Sequence, residues 1–242
     1  MKAITFDFWG TLMTAGKDYA EKVVPMRYEI MLRASDEAGV PAGEAEVRDA
    51  WNQATAKFND SWNAGVFMSL EERVAYAFKL LGLRYDQELV AQTARLLSEA
   101  ARDANVITLP GVSQAIPELA RHYKLAIVSD TSVSGGDVLR HYLDRAGLLP
   151  YFSAFSFSDE TGVVKPNKLA FAAALAGLGV EPAAALHVGD IPRTDIGGAF
   201  NAGYPYAVLY TGHKERPGDP PPSAKINDHR QLLELLKTIE AA

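Results

Sequence analysis

Residues 1–14 read MKAITFDFWGTLMT, and the fold turns on how FDFWGTL at 6–12 is parsed. Ala3, Ile4, Thr5 and Phe6 make a short apolar run of the kind that forms a buried strand, and Asp7 arrives where that run stops. Gly10 permits a tight turn directly afterwards, and Thr11 brings a hydroxyl and backbone amides toward any anion near Asp7. Trp9, between them, is the unexpected residue.

Working outward, three further apolar runs share this character: LAIV at 125–128, AALHV at 184–188 and YAVLY at 206–210. Helix-like segments alternate with them, at 112–123, 137–147, 168–179 and 228–240, with apolar residues three and four apart such as Leu232, Leu235, Leu236 and Ile239. Strand, crossover helix and strand in succession predict a parallel sheet. The text from 17 to 103 is instead helical almost throughout, interrupted at Gly39, Pro41, Gly65 and Gly82, which predicts roughly four helices. A crossover of about 90 residues far exceeds one right-handed connection, so an inserted domain is the simplest parsing. The expected fold is therefore α/β: a Rossmann-like parallel-sheet core from 1–16 together with 104–242, and an inserted all-helical domain at 17–103. Trp51, Phe58, Trp62 and Phe67 lie in that insertion and read as its own core, with a ligand-lining role as the alternative.

Bulk properties narrow the function. The 242 residues are 48% apolar and 22% charged, with a formal charge of −6 and no concentrated basic run, so nucleic acid is not an expected partner. Cysteine is absent, which excludes disulfides, thiolate metal sites and a cysteine nucleophile. The N-terminus lacks a signal-peptide pattern and no window approaches eighteen apolar residues, so a cytoplasmic protein with no membrane partner is expected. Oligomeric state is left between a monomer and a homodimer.

Ligands of open parallel sheets bind outside the carboxyl ends of the strands. Asp7 follows the first run, Ser129 and Asp130 follow LAIV, and Gly189 and Asp190 follow ALHV, so these groups are expected to converge. Asp195 comes five residues after Asp190, near the start of a helix. Packing Asp7, Asp190 and Asp195 together would cost several kcal/mol unless a cation sat among them. Oxygen donors without histidine or cysteine select a hard ion, for which Mg2+ is the best candidate. Lys165, in TGVVKPNKLAF, is placed to neutralise a phosphate or orient Asp7, with a structural salt bridge as its alternative, and Pro166 suits a first helical position. Arg193 in the loop after Asp190 is a further candidate anion contact, and Arg27 and Arg33 in the insertion are candidates for a carboxylate or second phosphate.

These residues together resemble the haloacid dehalogenase-like hydrolase superfamily. Asp7-Phe8-Trp9-Gly10-Thr11 is similar to its first motif, Ser129 after a strand to the second, Lys165 before Pro166 to the third, and Gly189-Asp190 with Asp195 to the fourth. The helical insertion resembles that family's cap. The resemblance implies Asp7 as a nucleophile that forms an aspartyl phosphate with a small phosphorylated substrate. It also implies Mg2+ held by Asp7, the Trp9 carbonyl and Asp190, with Asp195 either holding a metal-bound water or pairing with Lys165. Thr11, Ser129 and nearby amides would take the phosphoryl oxygens, with Asp130 and Arg193 close to substrate.

Trp9 departs from the pattern. Phosphatases of the superfamily usually have a second aspartate there, which protonates the leaving alcohol, and an indole cannot exchange a proton near neutral pH. Three readings stay open: a phosphatase that is slow or restricted to good leaving groups, a metal-independent 2-haloacid dehalogenase, and a phospho-ligand-binding protein with vestigial catalysis. Phosphonate cleavage, which needs a Schiff-base lysine in the cap, is a minor variant with Lys17, Lys22, Lys57 and Lys79 as candidates. Retention of Asp190 and Asp195 favours the first reading. The five histidines have no ligand spacing, and His187 is expected to be a packed core residue; GHKERPGDPPPSAK at 212–225 is expected to be a solvated loop, with substrate contact by His213, Lys214 and Arg216 at a strand end as the alternative.

Overall fold

Ala3–Phe6 forms β1, a fully buried strand, in the computed structural model, which describes residues 1–241. It lies at the centre of a six-stranded, all-parallel sheet with β4 (Lys124–Ser129), β5 (Phe152–Phe157), β6 (Ala185–Gly189), β7 (Tyr206–Tyr210) and β8 (Ala224–Ile226). The order is β5-β4-β1-β6-β7-β8. From β1 the chain builds outward on one side and then returns to β6 on the other, so the order reverses at β1 and leaves a crevice beyond its carboxyl end. Phe6 pairs with Ile127 of β4 and with Val188 of β6, so the residues that follow these three strands emerge side by side. Two short strands, β2 (Met13–Ala15) and β3 (Val106–Thr108), make a separate ribbon.

The sheet is flanked by α5 (Val112–Leu119), α6 (Gly136–Arg145), α8 (Lys168–Leu178), α9 (Gly197–Asn201) and α10 (Gln231–Ala241), with the single turn α7 (Ser158–Thr161) after β5. Phe171, Ala174, Leu175 and Leu178 of α8 join Ala3, Ala126, Val128, Ala185 and Leu209 in one core cluster. Phe171 sits at its centre, with its ring edge-on to His187 at 5.0 Å and to Tyr204 at 5.8 Å.

Contacts divide the chain into two units, the first comprising Met1–Thr14, Val106–Asp130 and Arg140 onward, the second Ala15–Asn105 with Thr131–Leu139. The second unit contains α1 (Tyr19–Glu37), α2 (Glu44–Asn63), α3 (Leu70–Leu80) and α4 (Gln87–Glu99). Local signals set the ends of two of these helices. Ser69 and Glu72 form a reciprocal capping box on α3, and the Asp86 side chain accepts from the Glu88 and Leu89 amides at the start of α4. Trp51 belongs to this unit's core with Val47, Val74, Phe78 and Leu97, and the buried Arg73 guanidinium stacks over the Trp51 and Phe58 rings at 4.4 and 5.1 Å.

Three expectations need correction. Residues 131–139, expected in the core, pack with the helices; Val133 is part of the helical unit's apolar cluster. Pro166 is not the first helical residue, because Asn167 caps α8 through its side chain, which accepts from the Leu169 amide at 3.0 Å. The 212–225 loop ends in a strand, β8, where Ala224, Lys225 and Ile226 pair with β7. No helix among the described residues is long and apolar enough to cross a membrane.

Phe171→Ala is expected to destabilise the protein by about 3–5 kcal/mol through lost burial and a residual cavity. Leu169→Ala on the same helix, at a side chain 56% exposed, is expected to change stability by less than about 0.5 kcal/mol. Urea unfolding of the two variants measures the difference.

Candidate active site

Asp7 leaves β1 with its amide still in the sheet, donating to the Val188 carbonyl at 2.9 Å. The chain then turns sharply, since the Leu12 and Met13 amides both donate to the Phe8 carbonyl and the Gly10 amide donates to the Met13 carbonyl. Gly10 holds φ at 77°, and a Cβ there would fall 2.6 Å from Asp190 Oδ2. The turn returns Thr11 to the acid it follows, with Oγ1 donating to Asp7 Oδ2 at 3.2 Å.

The other acids come from β6. Asp190 follows Gly189, and a π-helical turn at Pro192–Ile196 carries Asp195 back toward the strand end. The Ile191 amide donates to Asp195 Oδ2 at 2.8 Å, and the Asp195 amide donates to the Ile191 carbonyl at 2.9 Å. Gly189 is required by this packing: a Cβ would lie 2.3 Å from the Asp195 side chain.

Lys165 joins the acids. Its buried ammonium donates to Asp7 Oδ1 and to Asp195 Oδ1, each at 2.6 Å. Its amide donates to Asp130 Oδ1 at 2.9 Å, so Asp130 fastens the loop that carries the lysine. Asp7, Asp190 and Asp195, all buried, each offer an oxygen within 4.8 Å of the others. Arg216 approaches Asp190 Oδ2 from the 212–225 loop at 3.1 Å, but off the hydrogen-bond axis, so both atoms remain without a hydrogen bond among the described residues. The buried Ser129 hydroxyl, at the end of β4, also has no such partner.

Three carboxylates against one buried ammonium leave the cluster short of positive charge, and the proton affinities reflect it. Burial pushes the Asp7 carboxyl up to about 7; Lys165 opposes the rise, and Asp195 and Asp190 reinforce it. Burial, then Asp195, push Asp190 up to about 6 against Arg216 and Lys165. Burial opposes ionisation of Asp195 as well, yet Lys165 and His187 hold it below the usual carboxylate range. Burial works against the charge on Lys165, but Asp195 and Asp7 carry the ammonium above its ordinary value. A site with converging carboxylates, an unbonded Asp190 oxygen and excess negative charge fits a divalent ion with hard-oxygen preference.

The structure thus brings together Asp7, Thr11, Lys165, Asp190 and Asp195. Trp9 is half-buried, its ring edge-on to Phe8 at 5.0 Å and Tyr142 at 5.9 Å. Arg193 is exposed on the π-helical turn. Two neighbours of the acids were not expected. Arg216, read as part of a solvated loop with substrate contact as its alternative, reaches Asp190 itself. His187 is a packed core residue, but its Nε2 also lies 3.5 Å from Asp195 Oδ1. Its position, three residues before Asp190 on a strand whose end bears the acids, was the available signal.

Among known proteins, a model of the haloacid dehalogenase-like hydrolase family matches residues 1–203. The pyrimidine 5'-nucleotidase YjjG of Escherichia coli is 33% identical over 130 residues, 53% of this chain and 56% of that protein. A phosphoserine phosphatase of Thermus thermophilus is 34% identical over 145 residues, 59% of this chain and 57% of that protein. The chain therefore spans less than two-thirds of the length of these relatives. In structure, a 2-haloacid dehalogenase from Pseudomonas syringae aligns with a TM-score of 0.72 at 23% identity, covering 98% of this chain and 99% of that one. A HAD phosphatase from Thermococcus onnurineus aligns with a TM-score of 0.65 at 24% identity, covering 98% of both chains. At these identities the likeness is one of fold.

The raised acids make the stability of the metal-free protein depend on pH. Between 3.8 and about 7 the folded state binds protons at Asp7 and Asp190 that the unfolded state has released, so these two acids lower stability as pH rises through this window. Asp195, shifted down, acts only below the window, and Lys165, shifted up, only above it, whereas His187 and His229, both shifted down by burial, oppose the two acids within it. Thermal melts of chelator-treated protein should show the Tm of Asp7→Asn rising relative to that of the unmodified protein from about pH 5 to 7, because the variant lacks the Asp7 proton that the folded state gives up in this window.

Proposed function

The chain belongs to the haloacid dehalogenase-like hydrolase family, and within it we propose a Mg2+-dependent phosphohydrolase that acts on a small phosphorylated metabolite through an aspartyl-phosphate intermediate. The observation that carries this reading is the buried cluster of Asp7, Asp190 and Asp195 with Lys165 between Asp7 and Asp195. Asp7 and Asp190 would hold the ion, with the Trp9 carbonyl as a further ligand and Asp195 as the residue that keeps Lys165 in place. When bound, Mg2+ supplies charge neutralisation between the nucleophile and the phosphoryl oxygens.

Asp7 is suited to attack because both of its oxygens are directed, one by Lys165 and one by Thr11. A carboxylate oxygen of Asp7 forms the new bond to phosphorus while the bond to the leaving-group oxygen breaks, that oxygen departing with the electron pair. Water then attacks phosphorus, releasing inorganic phosphate and the free Asp7 carboxylate. The unpartnered Ser129 hydroxyl can donate to a phosphoryl oxygen, and Lys165 offsets the charge that develops. We read the helical unit as the family's cap, the site of action as the cytoplasm, and the ligand as a small phosphorylated substrate, with no nucleic-acid or membrane partner.

Trp9 sets the limit on this chemistry. Its indole N–H donates but does not exchange protons, so neither the leaving group nor the attacking water receives the usual acid–base assistance, a contribution of about 10²–10⁴ in rate. Acyl phosphates and activated aryl phosphates, whose leaving groups depart as stable anions, are the substrates that suffer least.

Acetyl phosphate and p-nitrophenyl phosphate should accordingly be hydrolysed with Mg2+ dependence, and Asp7→Asn should abolish turnover. Trp9→Asp should raise turnover of an alkyl phosphate about tenfold or more while changing acetyl phosphate little. Metal-independent chloride release from 2-chloropropionate, without phosphate release, would instead assign the dehalogenase reaction.

A further inference from the structure

Behind the acid cluster runs a buried polar chain that the steps above do not use. Thr5, on β1, and His187, on β6, are register partners in neighbouring strands, both fully buried. Thr5 Oγ1 lies 2.8 Å from His187 Nδ1, and the Tyr204 hydroxyl lies 3.4 Å from Thr5 Oγ1. The other ring nitrogen, Nε2, faces Asp195 Oδ1 at 3.5 Å, the same oxygen that accepts from Lys165 at 2.6 Å. Phe171 stands edge-on to the imidazole at 5.0 Å and Tyr204 at 6.4 Å, so aromatic packing fixes the ring plane as well as its two ends.

Elementary valence assigns the protons. Asp195, ionised beside Lys165, only accepts, so the ring nitrogen facing it must carry hydrogen. A neutral ring then has Nδ1 as its acceptor, and the Thr5 hydroxyl, 2.8 Å from Nδ1 against 3.4 Å from the Tyr204 hydroxyl, gives its one proton to the ring. Burial favours the neutral ring by lowering its proton affinity. A core strand supplying only packing would carry an aliphatic residue at this position, as Leu186 and Val188 do on either side. The contact to Asp195 is longer than that from Lys165, so the imidazole steers the carboxylate without displacing the lysine.

We propose that His187 is a positioning residue: held by Thr5, it donates from Nε2 to Asp195 and fixes the rotation of that carboxylate, which in turn sets where Lys165 stands between Asp195 and Asp7. This rests on the reading of Asp195 and Lys165 as parts of a metal-dependent phosphate site. Asp195 is then fixed at three points, by the Ile191 amide on Oδ2 and by Lys165 and His187 on Oδ1. Without the imidazole, Oδ1 has only the lysine to accept from, and the acid and the ammonium are free to turn together away from Asp7.

Two measurements test it. Nitrogen-15 NMR of the histidine rings in the full chain should show His187 as the neutral Nε2-protonated tautomer; an Nδ1-protonated ring would overturn the assignment. Calorimetric titration with Mg2+ should show about tenfold weaker binding in His187→Leu, the low end of the range for lost support behind a metal ligand, here transmitted through Asp195 and Lys165 to Asp7. His187→Gln, whose amide restores an N–H toward Asp195, should recover binding close to that of the unmodified protein. Thr5→Val, nearly isosteric, should weaken Mg2+ in the same direction and serves as the second probe if His187→Leu does not fold. Folded His187→Leu and Thr5→Val proteins that bind Mg2+ as the unmodified protein does would overturn the proposal. An unmodified protein that binds no Mg2+ would refute the metal-site reading instead, and the tautomer would then decide the positioning role alone.

Discussion

A single buried ammonium held between two carboxylates organises this protein's chemistry. Lys165 stands 2.6 Å from both Asp7 and Asp195, and all three side chains are almost entirely withdrawn from water. Removing one partner of such an arrangement leaves an uncompensated buried charge, at a cost typically of about 3–5 kcal/mol. Neutralisation is nevertheless incomplete, because Asp190 adds a third acid and Arg216 meets it only from a half-exposed loop position. The uncompensated charge suits one further cation, and the three acids each offer an oxygen within 4.8 Å of the others.

The parallel sheet makes this arrangement possible. β1 lies between β4 and β6, so two strand ends more than a hundred residues away from it in sequence become its neighbours at a spacing of about 5 Å. Two glycines then let side chains approach closer than any β-carbon would allow: Gly10 beside Asp190, and Gly189 beside Asp195. The same strands carry Thr5 and His187 inward, so the back of the site is braced by the sheet that presents its front.

Much of this could be read from the residues alone, because abrupt transitions from apolar runs to acids carry strong information. AITF followed by Asp7 and ALHV followed by Gly189-Asp190 located the central strands and the site together. The four helices of the insertion were legible from spacing and from glycine breaks. β5 was not, since FSAFSF alternates serine with aromatics and lacks the branched apolar character of its neighbours. β8 was hidden by the proline-rich text before it, and its pairing with β7 depends on the tertiary fold. Arg216 was legible only as the less favoured alternative, because local composition marks a solvated loop, while its contact with Asp190 at a strand end depends on the tertiary fold. The assignment of 131–139 to the helical unit likewise depends on packing, through Val133, that no local pattern encodes.

Trp9 distinguishes this chain chemically, since it carries no exchangeable proton where the family's phosphatases usually have an aspartate, and in the proposed phosphohydrolase the restriction to good leaving groups follows from that one residue. All of this presumes that the cation the acids demand occupies the place where they meet. Anomalous diffraction from crystals grown with Mn2+ in place of Mg2+ tests it most directly. The account predicts one strong peak bonded to oxygens of Asp7 and Asp190, with Lys165 still touching Asp195; crystals saturated with Mn2+ that show no peak there, or a peak elsewhere, would contradict it.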